Sequence, residues 1–195
     1  IPRPGFASSA ARARKVLQTS ELAARAAAVE LLLLDVDGVL TDGGVVYLDD
    51  GRELKRFHVR DGSGLKLWRA AGRRAAIVSG RSSPAVERRA AELGIGPVLQ
   101  GRDDKLAAFD EVLSATGLRP EQVCAIGDDL PDVPVLRRCG LAVAVADACA
   151  EARAVAHSVT AVPGGHGAVR DAIEWLLKLQ GRWADVTVRY TGLTG

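Results

Sequence analysis

Apolar runs along this chain repeatedly end on polar residues capable of chemistry. Leu31–Leu34 lead into Asp35-Val36-Asp37-Gly38, Ala75-Ala76-Ile77-Val78 into Ser79-Gly80-Arg81, and Val123-Cys124-Ala125-Ile126 into Gly127-Asp128-Asp129. Unbroken apolar runs of this length mark strands buried on both faces of a parallel sheet. Amphipathic or capped stretches lie between them. Ser20 opens an Ala-rich helix, a helix over about 64–71 stops at Gly72, and Ser83-Pro84 opens one that Gly94 ends. Further helices are predicted over 105–116, 131–139, 148–156 and 168–179, with strands at 98–99, 141–145 and 159–162. Strands alternating with helices predict right-handed crossovers, hence an α/β three-layer sandwich around a mostly parallel, Rossmann-like sheet. One segment breaks the alternation. After Thr41-Asp42-Gly43, two β-prone runs at 45–48 and 53–59 flank Asp49-Asp50-Gly51-Arg52, and Asp-Gly in that setting predicts a protruding β-hairpin over about 45–59.

The spacing also excludes a lid. Only the hairpin and one helix fit between Asp37 and Ser79, and only one helix and a short strand between Ser79 and Lys105, so no cap domain is expected. A two-stranded ribbon is marginal alone in water, and Val45, Tyr47, Leu54 and Phe57 need a covering surface that another subunit could supply. The expected organisation is an extension and helix over 1–30, a catalytic domain over 31–180 and a tail over 181–195.

Composition narrows the class. With 195 residues, 48% of them hydrophobic, the chain can bury one sizeable core. A net charge of +2 gives no whole-molecule argument for nucleic acid. Three cysteines without metal-like spacing suit a reduced, cytoplasmic protein, and no apolar run approaches the roughly 20 residues that span a bilayer. Residues 1–20 carry Arg3, Arg12, Arg14 and Lys15 but no acid. Transit peptides share that bias, yet an ordered extension or a processed start is the expectation.

Ligands of open α/β sheets bind beyond the carboxyl ends of the strands, where Asp35 and Asp37 emerge. Two acids this close call for a divalent metal or a nucleophile and acid/base pair, although a strand running into an Asx turn has the same residues. Lys105 follows Asp103-Asp104 at a helix start suited to an anion. The ordered set Asp-x-Asp, Ser, Lys, Asp resembles the haloacid dehalogenase-like phosphotransferase superfamily over about residues 31–177. That resemblance implies that Asp35 attacks phosphorus and Asp37 serves as acid and base. It implies that Ser79 and Lys105 neutralise the phosphoryl group, and that Asp35, the Asp37 main-chain carbonyl and Asp128 hold Mg2+. Asp129 and Asp132 could orient the loop or simply cap a helix.

Three longer stretches sharpen the resemblance: Asp35 to Gly43, His58-Val59-Arg60-Asp61-Gly62-Ser63-Gly64, and Gly164-Gly165-His166-Gly167-Ala168-Val169-Arg170. They are similar to the capless, tetrameric 3-deoxy-D-manno-octulosonate 8-phosphate phosphatases, whose product is the sugar acid of bacterial lipopolysaccharide. The resemblance implies a homotetramer built through the hairpin, and a phosphorylated sugar acid bound by Asp37, His58, Val59, Arg60, Asp61, Gly62, Lys66, Arg81, Arg89 and Lys105. Arginine suits the carboxylate end of such a substrate, although each of these cations could equally be a solvated surface charge. His166 stands where several relatives carry Arg, which would make an anion contact there weaker or pH-dependent. Two rival readings are a nonulosonate 9-phosphate phosphatase and a non-catalytic assembly domain related to nucleotide-sugar synthetases.

Overall fold

The structure, a computed structural model, describes residues 19–192. The basic extension expected at the start of the chain lies largely outside those residues. Helix α1 (Thr19–Ala28) leads into β1 (Leu31–Leu34), all four of whose leucines are buried. The remaining core strands are β4 (Arg74–Val78), β5 (Val98–Leu99), β6 (Val123–Gly127), β7 (Leu141–Ala144) and β8 (Ser158–Val159), and the hairpin is β2 (Val46–Tyr47) with β3 (Glu53–Leu54). The core sheet runs β5-β4-β1-β6-β7-β8, with every pairing parallel. In β1, Leu31 faces Arg74 on one side and Val123 on the other, so the ends of β1, β4 and β6 come out level.

Helices α2 (Val59–Ala70), α3 (Pro84–Leu93) and α7 (Ala168–Leu179) pack together on one face, α2 against both others, and α1 joins α7. On the other face α4 (Lys105–Thr116), α5 (Val133–Arg138) and α6 (Ala150–Val155) pack in series. This is the expected three-layer sandwich, and among the described residues only the small hairpin stands apart from it. Gly94 and Gly117 end α3 and α4 in the left-handed conformation that glycine adopts without steric cost.

Three boundaries differ from expectation. The second hairpin run pairs only at Glu53 and Leu54, and α2 begins at Val59, five residues early, because the His58 side chain accepts from the Arg60 amide and caps it. Gly62 and Gly64 lower the helical signal there, and both lie in close contact with neighbouring arginines. A Cβ at Gly64 would lie 3.1 Å from Arg170 Cα, and one at Gly62 would lie 2.3 Å from Arg89 Nη2. The last strand pairs only at Ser158–Val159, after which Thr160 accepts from Ala146 N through its hydroxyl and the chain turns away. Within the C-terminal tail, Trp183–Thr191 form helix α8, which packs on α2 and α7.

Candidate active site

The level ends of β1, β4 and β6 open into a cleft of about 340 Å³ whose walls include Asp35, Asp37, Ser79, Arg81, Lys105 and Asp128. After β1 the chain folds tightly, with the Val36 carbonyl accepting from the amides of Val39, Leu40 and Thr41. Gly38 takes φ +91°, and a Cβ there would lie 2.0 Å from Asp128 Oδ2, so this turn admits only glycine. The Gly164-Gly165 loop buttresses it. A Cβ at Gly164 would fall 1.7 Å from the Gly38 carbonyl oxygen.

Lys105 reaches into the cleft floor from the first turn of α4. Its Nζ lies 2.8 Å from Asp35 Oδ1 and 2.7 Å from Asp132 Oδ1, and all three side chains are buried. Asp132 also pins the loop after β6, since its Oδ2 accepts from the amides of Asp128 (3.0 Å) and Asp129 (3.2 Å). Asp132 thereby fills both roles open to it: its contact with the Asp129 amide is half of a capping box on the short 3-10 turn at Leu130–Asp132, and its contact with the Asp128 amide orients the loop.

One carboxylate oxygen each from Asp35, Asp128 and Asp132 lie within 4.8 Å of one another. Burial pushes the Asp35 carboxyl up to about 6, helped by Asp132 and opposed by Lys105. Burial together with the charges of Asp35 and Asp132 pushes Asp128 up to about 8. Burial opposes the charge on Lys105, but the flanking carboxylates outweigh it and the ammonium is held protonated. Three acids against one base leave an excess of negative charge. Asp128 Oδ1 is buried without a hydrogen-bond partner among the described residues. An all-oxygen donor set with an orphaned, buried carboxylate oxygen fits a hard divalent cation.

The other wall joins the hairpin to Asp37. Asp37 Oδ1 lies 2.5 Å from Lys55 Nζ and accepts from Thr41 Oγ1 at 3.4 Å, while Oδ2 lies 3.8 Å from Arg81 Nε. Glu53 closes the circuit, at 2.7 Å from Lys55 and 2.6 Å from Arg81. Neither Lys55 nor Glu53 is among the residues singled out from the sequence. In the folded subunit Glu53, Lys55 and Phe57 turn inward and Arg52, Leu54 and Arg56 outward, an alternation that the order of charged and apolar residues does not mark.

Ser79 is buried at the end of β4. Its Oγ accepts from Arg81 N at 3.3 Å, which leaves the hydroxyl proton for an anion in the cleft. The other expected substrate contacts do not line this cleft within one subunit. His58 caps α2, while Val59 and Arg60 are exposed at its start. Asp61 is buried and accepts from the Arg170 amide at 2.8 Å, which ties α2 to the start of α7; burial raises its carboxyl, only partly offset by the amides at the start of α7. Gly62 lies against Arg89, whose guanidinium stacks 6.0 Å over Phe57 and pairs with Glu92 at 3.1 Å. Lys66 lines a separate cavity with Arg170, Trp183 and Tyr190. His166 is exposed, its Nδ1 2.7 Å from the Gly164 carbonyl oxygen.

A level strand-end cleft with this carboxylate and lysine set defines a haloacid dehalogenase-like hydrolase, and a family profile of that description matches residues 97–173. The 3-deoxy-D-manno-octulosonate 8-phosphate phosphatase KdsC of Escherichia coli K12 is 44% identical over 164 residues, 84% of this chain and 87% of the relative. The solved phosphatase of the same name from Moraxella catarrhalis, in complex with magnesium, phosphate and KDO, superposes with a TM-score of 0.86 at 39% identity, covering 89% of this chain and 100% of that one. The Yersinia pestis phosphatase superposes at 0.81 with 44% identity, covering 84% and 88%. The chain belongs to the family of 3-deoxy-D-manno-octulosonate 8-phosphate phosphatases.

Proposed function

We propose that this chain is a magnesium-dependent phosphatase that hydrolyses 3-deoxy-D-manno-octulosonate 8-phosphate to the free sugar acid and phosphate. The observation that carries this reading is the separation of two acids only two residues apart. Asp35 is buried beside Lys105 and Asp128, whereas Asp37 stands on the opposite wall held by Lys55. Two carboxylates in unlike surroundings take unlike roles.

Asp35 forms an Oδ–P bond as the P–O bond to the sugar breaks, and the departing oxygen takes its proton from Asp37. Asp37 then removes a proton from water as that water attacks phosphorus, and the bond to Asp35 breaks to release phosphate. Ser79 O–H and Lys105 Nζ donate to phosphoryl oxygens as charge develops on them. Asp35 and Asp128, with the Asp37 carbonyl, would hold magnesium, which when bound screens the nucleophile from the phosphate and withdraws charge from it. Arg81, which lines the cleft, would meet the substrate's far end.

We read the working form as a homotetramer joined through hairpins. Support comes from Val45, Val46, Tyr47, Leu48 and Leu54, which are all exposed in the subunit although apolar or aromatic. A neighbouring subunit would also bring further cations to the open cleft. A cytoplasmic location suits the free thiols of Cys124, Cys139 and Cys149, and among the described residues no helix is long and apolar enough to cross a membrane. The reading is tested by phosphate release from a panel of sugar-acid phosphates after metal stripping and magnesium restoration. The octulosonate 8-phosphate should lead the panel by at least about tenfold in kcat/KM, a difference of about 1.4 kcal/mol in transition-state binding. A preference for a nonulosonate 9-phosphate would keep the chemistry and change the substrate.

A further inference from the structure

We propose that Lys55, carried by the hairpin, is a positioning residue that fixes which oxygen of Asp37 bears the catalytic proton. The inference rests on the acid/base role given to Asp37 above. Lys55 lies in the connection between β3 and α2, and its side chain is only 2% exposed. Lysine is rarely buried this deeply unless its charge is matched. Here it is matched twice, by Asp37 Oδ1 at 2.5 Å and Glu53 Oε1 at 2.7 Å.

The chemistry of the partners decides the outcome. An ammonium has three donors and no acceptor, so Asp37 Oδ1 can only accept from it. The Thr41 hydroxyl also faces this oxygen, at 3.4 Å, and shares its one proton with the Val36 carbonyl at 3.3 Å. A protonated Asp37 must therefore carry its hydrogen on Oδ2. That oxygen has no hydrogen-bond partner among the described residues, and Arg81 Nε stands 3.8 Å from it. One carboxylate oxygen is occupied by the hairpin and the other is kept for the leaving oxygen and, later, for water.

The four charges Asp37, Lys55, Glu53 and Arg81 alternate in sign around a closed circuit. Glu53 holds Lys55 and Arg81 together, so both cations approach Asp37 from the hairpin side. Hairpin geometry is thereby transmitted to the acid, two residues from the nucleophile. Without Lys55, Asp37 is free to turn Oδ1 or Oδ2 toward Arg81, and a fraction of molecules lose the aligned proton.

The test compares leaving groups. Lys55→Met removes the donors while keeping the stem, and an alkyl phosphate needs a proton on its leaving oxygen whereas 4-nitrophenyl phosphate does not. With the octulosonate 8-phosphate, kcat should fall by about 10- to 100-fold, within the range that positioned acid catalysis supplies, with KM changed less than about threefold. Nitrophenolate release in a single turnover with enzyme in excess should stay within about threefold of wild type. If Lys55→Met loses its cooperative unfolding transition, Lys55→Gln, which retains one amide donor group without the charge, is read in the same way and should show a smaller but equally split loss. Turnover within twofold of wild type would overturn the proposal, as would equal losses for both leaving groups. Failure of the wild-type enzyme to hydrolyse any phosphomonoester would instead refute the functional reading, whatever Lys55 does.

Discussion

Magnesium affinity should climb steeply with pH and then level off. In the metal-free protein burial and the Asp132 charge raise Asp35 to about 6, and burial with the charges of Asp35 and Asp132 raises Asp128 to about 8, against an unperturbed value near 3.8. Both groups therefore bind protons more tightly folded than unfolded, so the metal-free fold loses stability as pH rises from about 4 through 6 and 8. A cation that needs both carboxylates ionised must displace those protons. Near pH 5 binding releases close to two protons, near pH 7 about one, since Asp35 is then about nine-tenths ionised, and above pH 9 almost none. The apparent association constant should rise by up to about 100-fold per pH unit near pH 5 and about tenfold per unit between 6 and 8, about 1.4 kcal/mol per proton. Isothermal titration of the stripped enzyme with magnesium, repeated in buffers of different ionisation enthalpy, counts the protons directly. Thermal unfolding provides a second reading, because the magnesium-induced rise in Tm should be larger at pH 8 than at pH 5.5. Affinity independent of pH between 6 and 8, with no proton release, would refute the placement of Asp35 and Asp128 in one cation site.

Lys105→Met should lower turnover by at least about 100-fold, because it removes a positioned donor to the transferring group. It should also destabilise the metal-free fold by about 3 kcal/mol at pH 8 and by less at pH 5, where Asp35 is protonated; urea unfolding at the two pH values checks the difference. Gly38→Ala forces an L-residue into the left-handed region and drives its Cβ into Asp128, so magnesium affinity measured by titration should fall by more than about tenfold. Val46 and Leu54 pair directly across the hairpin, and replacing both by Glu should reduce the sedimenting species to monomer. That double variant should lose more activity on the sugar-acid phosphate than on 4-nitrophenyl phosphate, because neighbour contacts select substrate.

The catalytic floor was readable in the chain because parallel strands announce themselves as apolar runs and the site occupies their carboxyl ends. Asp35, Ser79 and Asp128 each follow such a run, and the structure brings them together with Lys105. Lys55 was not readable in this way. It sits in a segment that looks like an exposed ribbon, and its burial depends on Asp37 and Glu53, whose proximity is tertiary. The start of α2 was obscured because Gly62 and Gly64 are poor helix formers, and the close approach of the Arg170 backbone to Gly64 is a tertiary fact. Helix α8 passed for a tail because Val186, Thr187, Val188 and Thr191 are β-branched, and what holds it is packing on α2 and α7 rather than intrinsic propensity. That Asp132 is at once a helix cap and a loop anchor was not legible either, because its contacts with Lys105 and the Asp128 amide are set by the fold.

The most direct test of the central claim is to trap the covalent intermediate. Substrate labelled with radioactive phosphorus is mixed with excess magnesium-loaded enzyme, quenched in acid after milliseconds, digested with pepsin and mapped. The account predicts label on the peptide containing Asp35, appearing before free phosphate and decaying as phosphate forms, and no label with Asp35→Asn. Full turnover with no labelled peptide at any time, or label on a peptide lacking Asp35, would contradict it.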